Sequence, residues 1–190
     1  MKNVLIPPTL TILVVAAAAC GGGGASTAPS GGNAVVMLRD SPFSDAKAVL
    51  VTFSEVSAHK SGADFFTVPF AGGATSRTCD LKKLQTAQDI LGTGPLAVGH
   101  YTQVRLVVSS ATLYFDNAAA GSACGALIAV PAGRSAPLEI PSGEVKLNRD
   151  FDISGATTTM LLDFDGDKSI RETGNGRFMM TPVIGVVSVQ

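Results

Sequence analysis

The stretch Val145-Lys146-Leu147-Asn148-Arg149-Asp150-Phe151-Asp152-Ile153 decides the fold. Its odd positions are apolar except Arg149, and its even positions are all polar or charged. Side chains of a strand point alternately to opposite faces, so a period of two marks a strand with one dry and one wet face. The same period recurs on both sides. Downstream, residues 157–164 place Met160, Leu162 and Phe164 on one face, and residues 178–189 form a long finish rich in β-branched side chains. Upstream, Val49, Val51 and Phe53 share a face, as do Val104, Leu106 and Val108, and further apolar runs occupy residues 34–38 and 65–70. Turn residues such as Asp40-Ser41-Pro42 and Gly72-Gly73 close these runs. Many short strands separated by Gly, Pro, Ser and Asp clusters predict an all-β domain, a sandwich or a barrel. Residues 81–91 are the one helical candidate, because Leu81, Leu84, Gln88 and Leu91 fall near one face of a 3.6-residue period.

The chain has 190 residues, room for a single domain with a real core. Its formal net charge of −1 gives no basic footprint, which argues against nucleic acid as a partner. With no Trp and two Tyr, it offers no obvious aromatic platform for bases or sugars, although nine Phe remain available.

The N-terminus gives the address. One early cation, Lys2, precedes a run from Val4 to Ala19 that is apolar apart from two Thr and is interrupted by Pro7-Pro8. It is too short and too broken for a spanning helix, and it fits an export signal over residues 1–19. The run ends Ala16-Ala17-Ala18-Ala19-Cys20, followed by four glycines. Small residues directly before a Cys resemble the lipobox of bacterial lipoproteins, in which the Cys carries the lipid and becomes the first residue. The usual Leu three positions before the Cys is here Ala17. Ala17-x-Ala19 also satisfies ordinary signal cleavage, but plain secretion would leave Cys20 as an odd exposed thiol. Residues 20–33 have the Gly/Ser-rich composition of a flexible tether, which places the folded domain at 34–190. By resemblance to Gram-negative lipoproteins, Gly21 after the Cys points to the outer membrane, because Asp there favours retention at the inner one.

With Cys20 lipidated, Cys79 and Cys124 form an even pair. In an exported domain that predicts a disulfide, against the alternative of two buried free thiols. Catalytic signatures are sparse. The sequence contains no G-x-S-x-G, H-E-x-x-H, P-loop or G-x-G-x-x-G, and only His59 and His100 are available as imidazole bases. Asp163-Phe164-Asp165-Gly166-Asp167 offers alternating carboxylates of the kind calcium gathers on a short loop, which makes Asp163, Asp165 and Asp167 the candidate metal ligands. Position by position the match to a calcium-binding loop fails: counted from Asp163, Lys168 stands where Gly is required and Gly174 where Glu is required. The other reading is a strand ending in an Asp-Gly turn with solvated charges.

Several segments together resemble one family. Asp40-Ser41-Pro42 with Asp45-Ala46-Lys47-Ala48-Val49-Leu50-Val51-Thr52-Phe53-Ser54-Glu55-Val56 is similar to the opening of the bacterial and archaeal lipoprotein domain called DUF4382. Gly99-His100-Tyr101-Thr102-Gln103-Val104-Arg105-Leu106-Val107-Val108 resembles its middle. Leu162-Asp163-Phe164-Asp165, Lys168-Ser169-Ile170 and Arg177-Phe178-Met179-Met180-Thr181-Pro182-Val183-Ile184 resemble its end. The resemblance implies a lipoprotein or secreted β-sandwich of the prealbumin or immunoglobulin-like kind, and it brings no activity and no catalytic residues with it. The expectation is therefore a single β-sandwich with one short helix, tethered through lipid on Cys20 to a cell envelope. It would be a non-enzymatic module that binds an envelope protein or glycan or acts as a spacer, without a cofactor. The alternatives are a calcium-dependent binding domain and an envelope hydrolase with an unrecognised site.

Overall fold

The computed structural model describes residues 31–41 and 45–190, so the signal, Cys20 and most of the expected tether lie outside the described residues. Thirteen strands follow in order: β1 (Gly31–Ser41), β2 (Ala48–Lys60), β3 (Phe65–Thr67), β4 (Arg77–Asp80), β5 (Asp89–Ala97), β6 (Gly99–Tyr114), β7 (Cys124–Gly125), β8 (Ser135–Glu139), β9 (Glu144–Ile153), β10 (Thr157–Asp165), β11 (Ile170–Gly174), β12 (Arg177–Met180) and β13 (Ile184–Val189). They build two sheets that do not close into a barrel. The smaller runs β13-β10-β1-β5, with β1 parallel to β10 and the other pairs antiparallel. The larger runs β11-β12-β8-β6-β2-β4-β7, with β9 beside the first half of β6 and β3 beside the second half of β2.

The inner faces form one core. From the small sheet come Ala34, Val36 and Leu38 of β1 and Met160, Leu162 and Phe164 of β10, all buried on the even positions. From the large sheet come Val49, Val51, Phe53, Val56 and Ala58 of β2 with Val104, Leu106 and Val108 of β6. The inward phase of β2 switches from odd to even between Phe53 and Val56. The register against β6 shifts there, at Phe53/Glu55, because a bulge inserts one residue and turns the next side chain over. Arg149 is explained similarly. Tyr101 pairs with Phe151 but Gln103 pairs with Asn148, so a bulge in β9 leaves Arg149 exposed while Val145, Leu147, Phe151 and Ile153 stay buried. Tyr101 stacks on Phe151, with ring centroids 5.3 Å apart, and its hydroxyl donates to the Ala97 carbonyl at 2.9 Å.

Three expectations change. Residues 81–91 are not a helix. Leu81–Gln85 is a 3-10 turn with Leu81 and Leu84 buried, and β5 begins at Asp89. Leu91 is buried as a strand residue, and Gly92, Gly94 and Pro95 all oppose helix. Among the described residues the one short α-helix, α1, is Gly166–Ser169. Gly31-Gly32-Asn33, expected from composition to be tether, also belongs to β1. A Cβ on Gly32 would sit 2.6 Å from Ile153 Cγ2, so this glycine serves a close approach between sheets and not flexibility. Lastly, the C-terminal run is two strands in different sheets. The Thr181 N–H donates to the Ser169 carbonyl and the Val183 N–H to Ser169 Oγ, both at 2.8 Å. Pro182 between them has no N–H to offer a ladder, so the chain crosses from the large sheet to the small one at that corner.

One flank of the sandwich is sealed by Val68-Pro69-Phe70. The Thr93 N–H of β5 donates to the Pro69 carbonyl at 2.8 Å, and a Cβ on Gly94 would lie 2.5 Å from Pro69 Cδ. The segment thus covers the open edge of β5, which would otherwise invite another strand.

Candidate functional site

β5 and β6 are joined by Val98 beside Gly31, and β6 then runs the length of the molecule to Tyr114. Gly31 and Val98 therefore mark one pole, and the loop 116–134 after β6 marks the other. This loop is fixed from several sides. Asp116 closes its base, accepting from the Arg134 backbone N–H at 2.7 Å and from its Nε at 3.0 Å. Those contacts hold the Asp116 carboxyl below the usual carboxylate range, the backbone donor contributing most. Asn117 Nδ2 donates to the Ala132 carbonyl at 2.9 Å.

In the middle, Cys124 is bonded to Cys79, as the sequence predicted. The two are direct partners of β4 and β7 with Cα atoms 4.1 Å apart, and both are buried. Asp80, the next residue, is fully buried. Its Oδ1 accepts from the Val49 and Lys82 backbone N–H groups, each at 3.1 Å, while its own N–H donates to Ala123 at 2.7 Å. Burial, the dominant effect, pushes this carboxyl up. Beneath the loop, Ile128 packs on a small second cluster of Ala48, Leu50, Tyr114 and Ala119. With Ile128 and the buried Pro131 turned in, Leu127 and Val130 point out, at 92% and 70% exposure.

Asp163, Asp165 and Asp167 do not assemble into a ligand set. The register puts Arg39 opposite Asp163, and their ion pair spans 2.8 Å. Asp165 caps α1, accepting from the Lys168 N–H at 3.1 Å and from its ammonium at 2.6 Å, which lowers its carboxyl's pKa. Asp167 is exposed on α1. Two of the three carboxylates thus face cations of the chain itself. Among the described residues no group of three His, Cys, Asp or Glu side chains converges on a point that could hold a metal.

The histidines are also engaged. His59 Nδ1 meets Thr102 Oγ1 at 3.0 Å. His100 lies between two carboxylates, with Nδ1 at 2.9 Å from Asp152 and Nε2 at 3.9 Å from Asp150. Neither ring nitrogen of His100 faces a hydroxyl, whereas His59 does, at Thr102.

Two surface features escaped the sequence reading. One is the bare tip at Leu127 and Val130. The other is an open groove of about 460 Å³ lined by Phe115, Phe178, Ala136 and Arg134, with the two rings 5.5 Å apart. The tip did leave a trace, since residues 117–133 carry no charged side chain. The groove left none, because Phe115 and Phe178 lie far apart in sequence and meet only through the β8–β12 pairing.

These elements define a two-sheet β-sandwich whose far-pole loop is clamped by a disulfide. The match to the family profile is direct. Residues 31–182 fit the domain of unknown function DUF4382, and the chain belongs to that family. No curated protein and no solved structure matches it.

Proposed function

We propose that this protein is a lipid-anchored module of a bacterial cell envelope that works by binding or spacing and not by catalysis. The observation that carries the reading is Ala17-Ala18-Ala19-Cys20-Gly21, directly upstream of a single DUF4382 sandwich that starts at Gly31. An apolar run with a lone cation ahead of small residues and a Cys supplies an export signal and a lipid acceptor, and several acyl chains on one cysteine give stable attachment. Gly21 favours the outer membrane over the inner one. Binding or spacing is favoured over hydrolysis because His100 is held by the Asp150/Asp152 pair and faces no hydroxyl, while His59, which does face the Thr102 hydroxyl, has no carboxylate among the described residues to orient it. It is favoured over a calcium module because Asp163 and Asp165 are committed to Arg39 and Lys168. An envelope protein or glycan is the partner class this reading predicts.

The test is intact mass and detergent partitioning of protein expressed in a bacterial host, beside Cys20→Ser. A lipid increment on a chain starting at Cys20, lost in the variant, is the expected result. An unlipidated chain in both preparations would overturn the anchor.

A further inference from the structure

We infer that the tip of loop 116–134 is a second membrane contact, a rigid apolar knob that enters the interface of an anionic bilayer. The contact goes beyond the anchor and does not require it. Leu127 and Val130 are the two most exposed large apolar side chains among the described residues, and they stand three positions apart on one loop. Ala126 and Ala129 beside them are exposed as well, so the tip is convex and purely aliphatic. The knob does not owe its exposure to looseness. The disulfide, the Asp116–Arg134 clamp and Ile128 in its cluster hold the loop, and the surrounding bonds leave these two side chains outward.

Charge selects the occupant. No charged side chain lies within residues 117–133, which leaves no ion to be desolvated on insertion. The rim is basic. Lys83 reaches the Gly121 carbonyl at 2.6 Å, Lys82 adjoins it in sequence, and Lys47 is exposed beside Tyr114. On the acidic side, Asp116 is paired with Arg134, Asp89 with Arg77 and the Cys124 N–H, Asp80 is buried, and Asp45 is exposed. Aliphatic residues in the middle and cations at the rim match acyl chains below and anionic headgroups above. Residues 20–30 reach at most roughly 38 Å when extended, and β6 is about 53 Å long. A domain anchored at Cys20 and docked through this loop would therefore lie along the surface, held at both poles.

The chain has no Trp, so one introduced Trp reports without background. The probes are the full exported protein with Leu127→Trp and, at the opposite pole, with Val98→Trp. Each is mixed with vesicles of phosphatidylethanolamine with or without phosphatidylglycerol, some carrying brominated acyl chains. The Leu127→Trp emission should move to the blue and be quenched by the brominated chains in phosphatidylglycerol vesicles, while the Val98→Trp emission should not. Adding Lys82→Ser and Lys83→Ser should weaken insertion roughly tenfold or more, and high salt should do the same. Water-like emission from Leu127→Trp in every vesicle would overturn the proposal. So would a blue shift that grows with protein concentration and needs no lipid, since a second copy would then cover the loop. The readout belongs to the loop, so it stands or falls whether or not Cys20 carries lipid.

Discussion

Leu106 sits at the centre of the large sheet with no exposed surface. Leu106→Asp would put a carboxylate there with no donor or cation to meet it, a penalty of many kcal/mol that exceeds the stability of an ordinary domain. The expected outcome is a chain without cooperative thermal unfolding, read by circular dichroism. Arg105 is its neighbour on the outer face and follows different physics. It donates to Glu55 at 2.7 Å and lies over the Phe65 ring at 4.2 Å. The Arg105 bond, then Ser57, holds the Glu55 carboxyl below its ordinary range. A carboxyl whose pKa is depressed by folding contributes stability above its unfolded value and loses it as pH falls through the folded one. Glu55→Gln should therefore lower Tm at neutral pH and flatten the loss of Tm on acidification through the carboxylate range. A Tm profile parallel to the wild type would show that the pair contributes nothing. The alternation of Val104, Leu106 and Val108 puts Arg105 on the opposite face and says no more, because its partners come from β2 and β3, which no local pattern links to it.

At the scale of elements, the disulfide is the clearest device. It joins residues 45 apart in sequence and closes β4 onto β7. Closing a loop of that size constrains the unfolded chain by about 4 kcal/mol. Non-reduced protein should weigh two daltons less than reduced protein, and Cys79→Ala with Cys124→Ala should lower Tm by roughly 10 °C. The pairing was legible because an even pair of cysteines in an exported domain has few other uses. The strands were legible wherever one face meets the core and the other meets water, as in β9 and β10. The failures share a cause. The pattern 81–91 satisfies a helical period by coincidence, since Leu81 and Leu84 are held by a capped turn and Leu91 by a sheet. Gly31-Gly32 reads as linker because sequence shows composition, whereas the close approach of Ile153 exists only in three dimensions. The bulges at Ser54 and Arg149 were visible only as lapses of alternation.

At the scale of the molecule, both ends of the domain meet in the small sheet, where β1 pairs in parallel with β10 over nine residues. β10 in turn depends on β13, whose Ile184, Val186 and Val189 pack against the core. The family match ends at residue 182, before β13 begins. A chain cut after Pro182 would fit the profile and still lack an edge of the sandwich. Losing three half-buried aliphatic side chains removes about 4 kcal/mol of burial. It also bares the β10 ladder over residues 160–164, an unpaired edge next to newly exposed Met160, Leu162 and Phe164. The cut chain should accumulate as aggregate or show a Tm lowered by 10 °C or more, roughly, whereas a chain cut before Gly31 should keep the wild-type Tm. Equal stability of the two would mean that the core closes without β13 and that the fold ends where the profile does. The sandwich predicts otherwise, because the strand that follows the Ser169 corner is the one that returns the chain to its first sheet.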